Sequence, residues 1–227
     1  YFRYPVEELF PSDGKFKPAK YRILVQFAGD KYFGSSWGDN DASVFIATSV
    51  DGFIARADGA IDWLPGPEAA GSPSPSAAAP EDYGYGAFMA SIDTLVIGRK
   101  TWDQVRSFGF WPYAGKQVVV WTRQPSLLTL PPDLADTVQA SADAPSRLVE
   151  RLAVRGAKQL YVDGGQTVTA FLAAGLIDRL IVTRIPVLLG GGIPLFGALP
   201  RDIVLQHIAT RSYPTGLVQS EYRVGPV

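Results

Sequence analysis

Residues 159–175 read QLYVDGGQTVTAFLAAG, in which a short apolar run ends at two glycines and a stretch with helical spacing follows at once. Residues 94–102, TLVIGRKTW, repeat this order of apolar run, glycine and helix. The valine-rich run in QVVVWTR, residues 117–123, ends instead on a threonine and an arginine. Strands that lead through glycine turns into helices are typical of an α/β domain built on a parallel sheet.

The same alternation extends from Ser43 to Phe196. After Phe196 no helical spacing returns, and two further β-rich runs flank the turn residues Tyr213-Pro214-Thr215-Gly216. These runs predict a closing antiparallel hairpin, with strands at 203–210 and 217–224. The other predicted strands are 43–48, 94–97, 117–121, 159–162 and 180–187, and the predicted helices are 82–92, 101–106, 146–155 and 167–174.

The composition changes near Asp41. Residues 1–42 hold 10 of the 27 aromatic residues and four of the seven lysines, whereas 43–227 is rich in alanine and arginine. We therefore expect an N-terminal extension over 1–42, which packs on the main domain or on a partner, and one α/β domain over 43–227. An independent module of 42 residues is disfavoured because so short a piece cannot close a core. The Pro-, Gly-, Ser- and Ala-rich residues between Trp63 and Glu81 predict a loop that acts as a lid.

Charge and composition exclude several classes of function. With 21 basic and 22 acidic residues the formal charge is −1, so no overall field attracts nucleic acid or an anionic membrane. The chain has no cysteine and one histidine, His207, and we expect no metal site. No apolar run of about 18 residues is present, and residues 1–10 lack an apolar signal core. We expect a cytoplasmic protein that binds neither nucleic acid nor membrane.

Three turns at the ends of predicted strands are suited to phosphate. Gly98 permits close backbone approach, and the helix that follows begins with Arg99, Lys100 and Thr101. The other two turns carry Gly164-Gly165 and Thr122-Arg123. Open α/β sheets bind ligands at the carboxyl ends of their strands, where all three turns are expected. Each turn alone is also compatible with ordinary surface structure, and the G-x-G-x-x-G fingerprint of Rossmann domains is missing.

Six segments in order resemble the dihydrofolate reductase-like superfamily, and more closely the branch that holds the reductase domain of riboflavin biosynthesis and its stand-alone bacterial relatives. They are SVDGFIA at 49–55, Asp62-Trp63, GRKTW at 98–102, Thr122-Arg123, DGG at 163–165 and LIDRLIVTRIPVLLGGGIPLF at 176–196. The resemblance covers about 43–227. It implies a three-layer α/β fold, with helices on both faces of a mostly parallel sheet and an antiparallel hairpin at the C-terminus.

The resemblance also implies a reductase that uses NADPH. Phosphates of the cofactor would be held by Gly98, Arg99, Lys100 and Thr101, and the adenosine 2′-phosphate by Thr122 and Arg123. The pyrophosphate would lie on Gly164, Gly165, Gln166 and Thr167, and the nicotinamide between Ala47 and Ile54.

On the substrate side the resemblance points to Asp82, sixteen residues before Gly98, as the catalytic acid and to Thr183 as its hydrogen-bond partner. A buried Asp82 would have a raised pKa and would relay a proton near neutral pH. The alternative is that Asp82 only caps the following helix. Asp51, Trp63 and Asp163 are further substrate-binding candidates. Their alternatives are a tight turn for Asp51, aromatic packing for Trp63 and a helix cap for Asp163.

The expected reaction is hydride transfer from NADPH to a C=N or C=O bond of a pyrimidine- or pteridine-like small molecule, as in 5-amino-6-(5-phosphoribosylamino)uracil reductase. The alternatives are a true dihydrofolate reductase and a nucleotide-binding or interaction protein without turnover. Relatives of this type are frequently dimers, so a homodimer is expected. Recognition of a ribose phosphate would need a further cation, for which the sequence offers Arg56, Lys158 and Arg184.

Overall fold

Residues 41–64 and 81–225 are described by the computed structural model, and they form ten strands and four α-helices. Residues 1–40 of the predicted extension over 1–42, and most of the predicted lid, lie outside these residues, whereas Asp41 and Ala42 belong to the first strand. The helices are α1 (Tyr85–Ser91), α2 (Arg99–Arg106), α3 (Pro145–Val154) and α4 (Gly165–Ala173). The strands are β1 (Asp41–Ser49), β2 (Phe53–Ala55), β3 (Thr94–Gly98), β4 (Gln117–Trp121), β5 (Val138–Ser141), β6 (Gln159–Asp163), β7 (Arg179–Ile185), β8 (Ile193–Pro194), β9 (Leu205–Ser212) and β10 (Val218–Val224).

Eight of the strands form one sheet in the order β5-β4-β3-β6-β1-β7-β10-β9. Neighbours from β5 to β7 run parallel, whereas β10 is antiparallel to both β7 and β9. The predicted mostly parallel sheet with a C-terminal hairpin is therefore confirmed. A separate pair, β2 with β8, joins the segment after β1 to the glycine-rich segment before Phe196.

Side-chain alternation divides the core into two layers, one on each face of the sheet. Since successive residues of a strand point to opposite faces, neighbouring positions in β1, β6 and β7 enter different clusters. One cluster packs α3 and α4 against the sheet and includes Val44, Val162 and Leu180. The other packs α1 and α2 against the opposite face and includes Tyr161 and Ile181. This arrangement confirms the predicted three layers. None of the described helices is long and apolar enough to cross a membrane.

The sheet opens between its two central strands. β1 pairs with β6 only from Asp41 to Ser43, opposite Gln159 to Tyr161. Beyond that point β1 stays on β7 as far as Ser49, and β6 stays on β3 as far as the pair Ile97 and Asp163. The chain leaves β1 toward β3 and leaves β6 toward β7, so the opening is a topological switch point, where α/β sheets bind ligands.

The structure departs from the sequence-based elements in two respects. The predicted helix over 82–92 begins only at Tyr85, because Tyr83 and Gly84 have φ of 55° and 82°, in the left-handed region that a right-handed helix does not allow. Three strands were missed, namely β2, β5 and β8. β2 and β8 are too short to show a period, and β5 has the sequence VQAS, which lacks an apolar run.

Gly165 is predicted to tolerate no side chain. A Cβ there would lie 2.5 Å from the Pro194 carbonyl oxygen and 3.4 Å from that of Leu195, so backbone would have to shift. Gly165→Ala should cost about 1–3 kcal/mol of unfolding free energy and lower Tm by roughly 3–10 °C in a thermal melt. The control is Gly191→Ala, where a Cβ would meet nothing within 4 Å. Equal melting temperatures for the two variants would contradict this packing.

Candidate functional site

Two helix N-termini meet at the carboxyl edge of the sheet. α2 begins after Gly98 and α4 after Gly164, and neither helix has a side-chain cap. A Cβ on Gly98 would lie 2.9 Å from Thr167 Oγ1, and one on Gly164 would lie 2.9 Å from Thr101 Oγ1. The two glycine turns and the two threonines therefore pack together. Uncapped N–H groups at both helix starts can bind an anion.

The third turn lies beside them, because Trp121 pairs with Gly98 in the β3–β4 ladder. Thr122 follows β4, and its N–H donates to the Ser141 carbonyl at 2.9 Å. Arg123 is exposed. The Arg99 guanidinium forms an ion pair with Asp103 at 2.9 Å. The structure thus brings the three predicted phosphate turns to one edge of the sheet, with the exposed side chains of Arg99, Lys100, Arg123 and Gln166 around them.

The residues predicted to flank a nicotinamide lie on the two sides of the opening. Ala47 is on β1 beyond the last pair with β6, opposite Thr183 of β7. Ile54 is close to the α4 start, since a Cβ on Gly165 would be 3.4 Å from Ile54 Cδ1. A Cβ on any of Gly98, Gly164 and Gly165 would meet protein atoms within 3 Å, so these glycines allow the chain to pack closely at the helix starts. This donor set, with N–H groups, threonine hydroxyls and cations at one end and apolar side chains at the other, fits a phosphorylated dinucleotide.

Asp163 ends β6 on the wall of the opening, among three tyrosines. Burial raises the pKa of its carboxyl to about 6, although an N–H of Gly164 stabilises the ionised form. The charge of Asp163 in turn adds to burial in raising the pKa of Tyr85 to about 12, and it also raises the pKa values of Tyr113 and Tyr161. The Tyr161 hydroxyl donates to the Phe45 carbonyl across the opening at 2.8 Å. A carboxyl in this setting can hold a proton near neutral pH.

The opposite wall is organised by Gln219 on β10. Its Nε2 donates to Thr183 Oγ1 and to the Tyr83 carbonyl, each at 3.0 Å. Its Oε1 accepts from the Tyr213 hydroxyl at 3.4 Å. Thr183 is only 5% exposed, and because its oxygen accepts from Gln219, its own hydrogen remains available for donation.

The expectation of a buried Asp82 with a raised pKa is wrong. Asp82 is exposed, and its carboxylate accepts the N–H groups of Gly84 and Gly86 at 2.8 and 2.9 Å. These two hydrogen bonds lower the pKa of Asp82. Thr183, the predicted partner, is bonded to Gln219 instead. The observed contacts correspond to the capping alternative, because the carboxylate orders the turn that enters α1.

The two remaining substrate-binding candidates, Asp51 and Trp63, differ in their hydrogen bonds. The Asp51 carboxylate accepts the N–H groups of Leu189 and Gly190, at 3.2 and 2.7 Å, and its pKa is lowered by Ser49 and by these bonds. It thereby ties the turn after β1 to the glycine-rich segment. The indole of Trp63 is partly buried, and its Nε1 has no hydrogen-bond partner.

Four residues of the two walls were not predicted, namely Tyr85, Tyr113, Tyr161 and Gln219. Tyr161 could have been inferred, because it lies two residues before Asp163 and must share its face of the strand. Gln219 gave no comparable signal, because its strand, VQSEYRV, is largely polar. Tyr113 lies in a loop fifty residues before Asp163, and nothing in the sequence connects the two.

Comparison with known proteins identifies the family and the fold. The family model described as RibD C-terminal domain matches residues 43–219. The uncharacterized protein YwjB of Bacillus subtilis (strain 168) is 33% identical over 172 residues, which cover 75% of this chain and 90% of YwjB. A solved structure from Shewanella sp. PV-4, of a protein ascribed to riboflavin biosynthesis, is 36% identical, with a TM-score of 0.71 over 82% of this chain and 99% of its own.

The fold is also found in a larger protein from Thermotoga maritima, a diaminohydroxyphosphoribosylaminopyrimidine deaminase/5-amino-6-(5-phosphoribosylamino)uracil reductase. The TM-score is 0.57 at 14% identity, and 83% of this chain matches 57% of that one. The superfamily resemblance drawn from the six sequence segments is therefore confirmed. The match over 43–219 shows that this chain belongs to the RibD C-terminal domain family of riboflavin-pathway reductases.

Proposed function

We propose that the protein is an NADPH-dependent reductase that acts on a pyrimidine- or pteridine-like small molecule. One observation carries the proposal: the opening between β1 and β6 leads directly from two uncapped helix N-termini to a partly buried carboxyl, Asp163. Phosphate groups favour the helix starts, and a planar ring system favours the apolar opening. Family membership supports the oxidoreductase class.

The cofactor would be held by the residues of the three turns. The α2 and α4 N–H groups, with Thr101 and Thr167, would bind the pyrophosphate, and Arg123 would pair with the 2′-phosphate. When bound, NADPH supplies a hydride to the substrate. Ala47 and Ile54 provide apolar surface beside the opening and exclude water from it.

Asp163 would handle the proton that accompanies reduction. With a pKa of about 6, roughly a tenth of the carboxyl is protonated at pH 7, far more than for an ordinary aspartate. The proton would pass from the carboxyl oxygen to the substrate atom that becomes basic. Thr183, held by Gln219, would donate its hydrogen to a substrate acceptor and orient the ring.

Binding of NADPH is tested by thermal melting. At about 100 times its Kd, NADPH should stabilise the fold by about 2.7 kcal/mol and raise Tm by roughly 5–10 °C. Arg123→Ala should weaken NADPH binding about 10–100-fold and leave NADH binding unchanged, because NADH lacks the 2′-phosphate. Arg201→Ala, which removes another exposed arginine, is the matched control. If wild type shows no shift with either nucleotide, the proposed cofactor is wrong.

Asp163→Asn tests the proton donor. For the wild type we expect kcat/KM for NADPH oxidation to fall as pH rises through about 6, as the carboxyl loses its proton. The variant should lose this limb of the pH profile, and its rate should fall about 10²–10⁴-fold. Asp133→Asn, an exposed carboxylate on a 3₁₀ turn, should keep both. If the Asp82→Asn variant instead lost the limb of the pH profile near pH 6, Asp82 and not Asp163 would be the proton donor.

The raised pKa of Asp163 can be tested through protein stability, without an activity assay. Its folded-state pKa lies above the unfolded value, so the folded state binds more protons and wild-type stability falls as pH rises from about 4 to 7. Asp163→Asn removes this penalty, which amounts to about 2–3 kcal/mol. The variant should therefore melt higher than wild type at pH 8 and equal to it near pH 4. If the Tm values of wild type and variant changed in parallel with pH across this range, burial would not raise the pKa of Asp163.

A further inference from the structure

Among the residues that the structure describes, the tyrosine-lined wall of the opening carries the Asp163 carboxyl and no lysine or arginine. Burial raises the pKa values of Asp163, Tyr85 and Tyr113, and the charge of Asp163 raises those of the two tyrosines further. No lysine or arginine of the described residues contributes to any of these shifts. Residues 65–80, which lie in the sequence just before α1, contain Glu68 and neither lysine nor arginine.

The three cations that the sequence offered for a substrate phosphate are placed elsewhere. Arg56 forms a two-bond ion pair with Asp62, at 2.6 and 3.0 Å. Lys158 precedes β6 at its amino end, about 16 Å of extended strand away from Asp163. Arg184 follows Thr183 in β7 and so points to the opposite face of the sheet.

Three arginines share the face of Thr183: Arg179 and Arg223 lie four residues toward the amino end of β7, about 13 Å away, and Arg211 is nearer. Arg211 of β9 is paired with Gln219 of β10, which in turn is paired with Thr183. Two strand spacings, about 10 Å, separate Arg211 from Thr183. The Tyr83 and Tyr213 rings, with centroids 4.8 Å apart, pack beside Gln219, whose side-chain amide is fully used by protein partners.

The surfaces that remain in the opening are aromatic and uncharged apart from Asp163. Tyr85 is 38% exposed, and its ring contacts Phe45, with centroids 5.6 Å apart. Phe45 packs further on Phe88, and Phe88 on Tyr161. A partly exposed phenol ring on a packed aromatic base can hold a flat ring system by stacking.

We propose that the substrate of this site is a planar, uncharged heteroaromatic compound without a phosphate group. The assignment rests on the proposed reductase function and narrows its substrate. A phosphate near Asp163 would meet a like charge in a poorly solvated site, and no lysine or arginine of the described part of the chain lies on that wall to offset it. Asp163 and Thr183 instead offer hydrogen-bond partners for ring nitrogen and carbonyl groups.

The test compares 5-amino-6-(5-phosphoribosylamino)uracil with the same compound after its phosphate has been removed by a phosphatase. Binding to the full chain with saturating NADP⁺ is followed by protein fluorescence, and turnover by NADPH oxidation. The dephosphorylated compound should bind at least tenfold more tightly. Raising KCl from 0.05 to 0.5 M should strengthen binding of the phosphorylated compound severalfold, because salt screens the repulsion, and should leave the other unchanged.

Two variants locate the cause of this preference. Asp163→Asn removes the repelling charge and should reduce the ratio of the two affinities severalfold, whereas Arg211→Ala should leave the ratio as in wild type. The assignment would be overturned if the phosphorylated compound bound more tightly and KCl weakened its binding. It would also be overturned if neither compound bound. These outcomes can be distinguished from failure of the proposed function, because a protein that does not bind NADPH would show no NADPH-dependent rise in Tm.

Discussion

β1 and β6 share hydrogen bonds over three residue pairs and then separate, each remaining bonded to its outer neighbour. The site depends on this separation, because it exposes strand side chains in the middle of the sheet. Ala47 and Thr183 lie on one side, and Asp163 lies on the other beside the α4 start. The Tyr161 hydroxyl bridges the two sides through the Phe45 carbonyl.

The opening separates two kinds of chemistry along its length. Exposed cations and helix N–H groups gather where β3, β4 and β6 end, in water, where they can exchange solvent for phosphate. The carboxyl of Asp163 lies at the other end, where burial raises its pKa to about 6. A cofactor that carries charge at one end and a neutral ring at the other matches this division, and a substrate with a phosphate does not.

Two carboxylates that a motif comparison would assign to substrate serve the backbone instead. Asp51 and Asp82 each accept two N–H groups from neighbouring turns, and each has a lowered pKa. Such bonds fix loops around the opening and stabilise the ionised carboxylate. Gln219 has a comparable organising role on the other wall, where it connects β7, the entry to α1 and the C-terminal hairpin.

Much of this protein could be predicted from local sequence signals. Strand-glycine-helix units predicted the α/β class and the phosphate turns, because glycine conformations and apolar periods act over a few residues. The family resemblance predicted the three layers. Burial could not be predicted this way: Asp82 was expected inside and is exposed, whereas burial raises the pKa of Asp163. Only the tertiary structure decides which carboxyl loses its water, since desolvation depends on neighbours that strand order brings together.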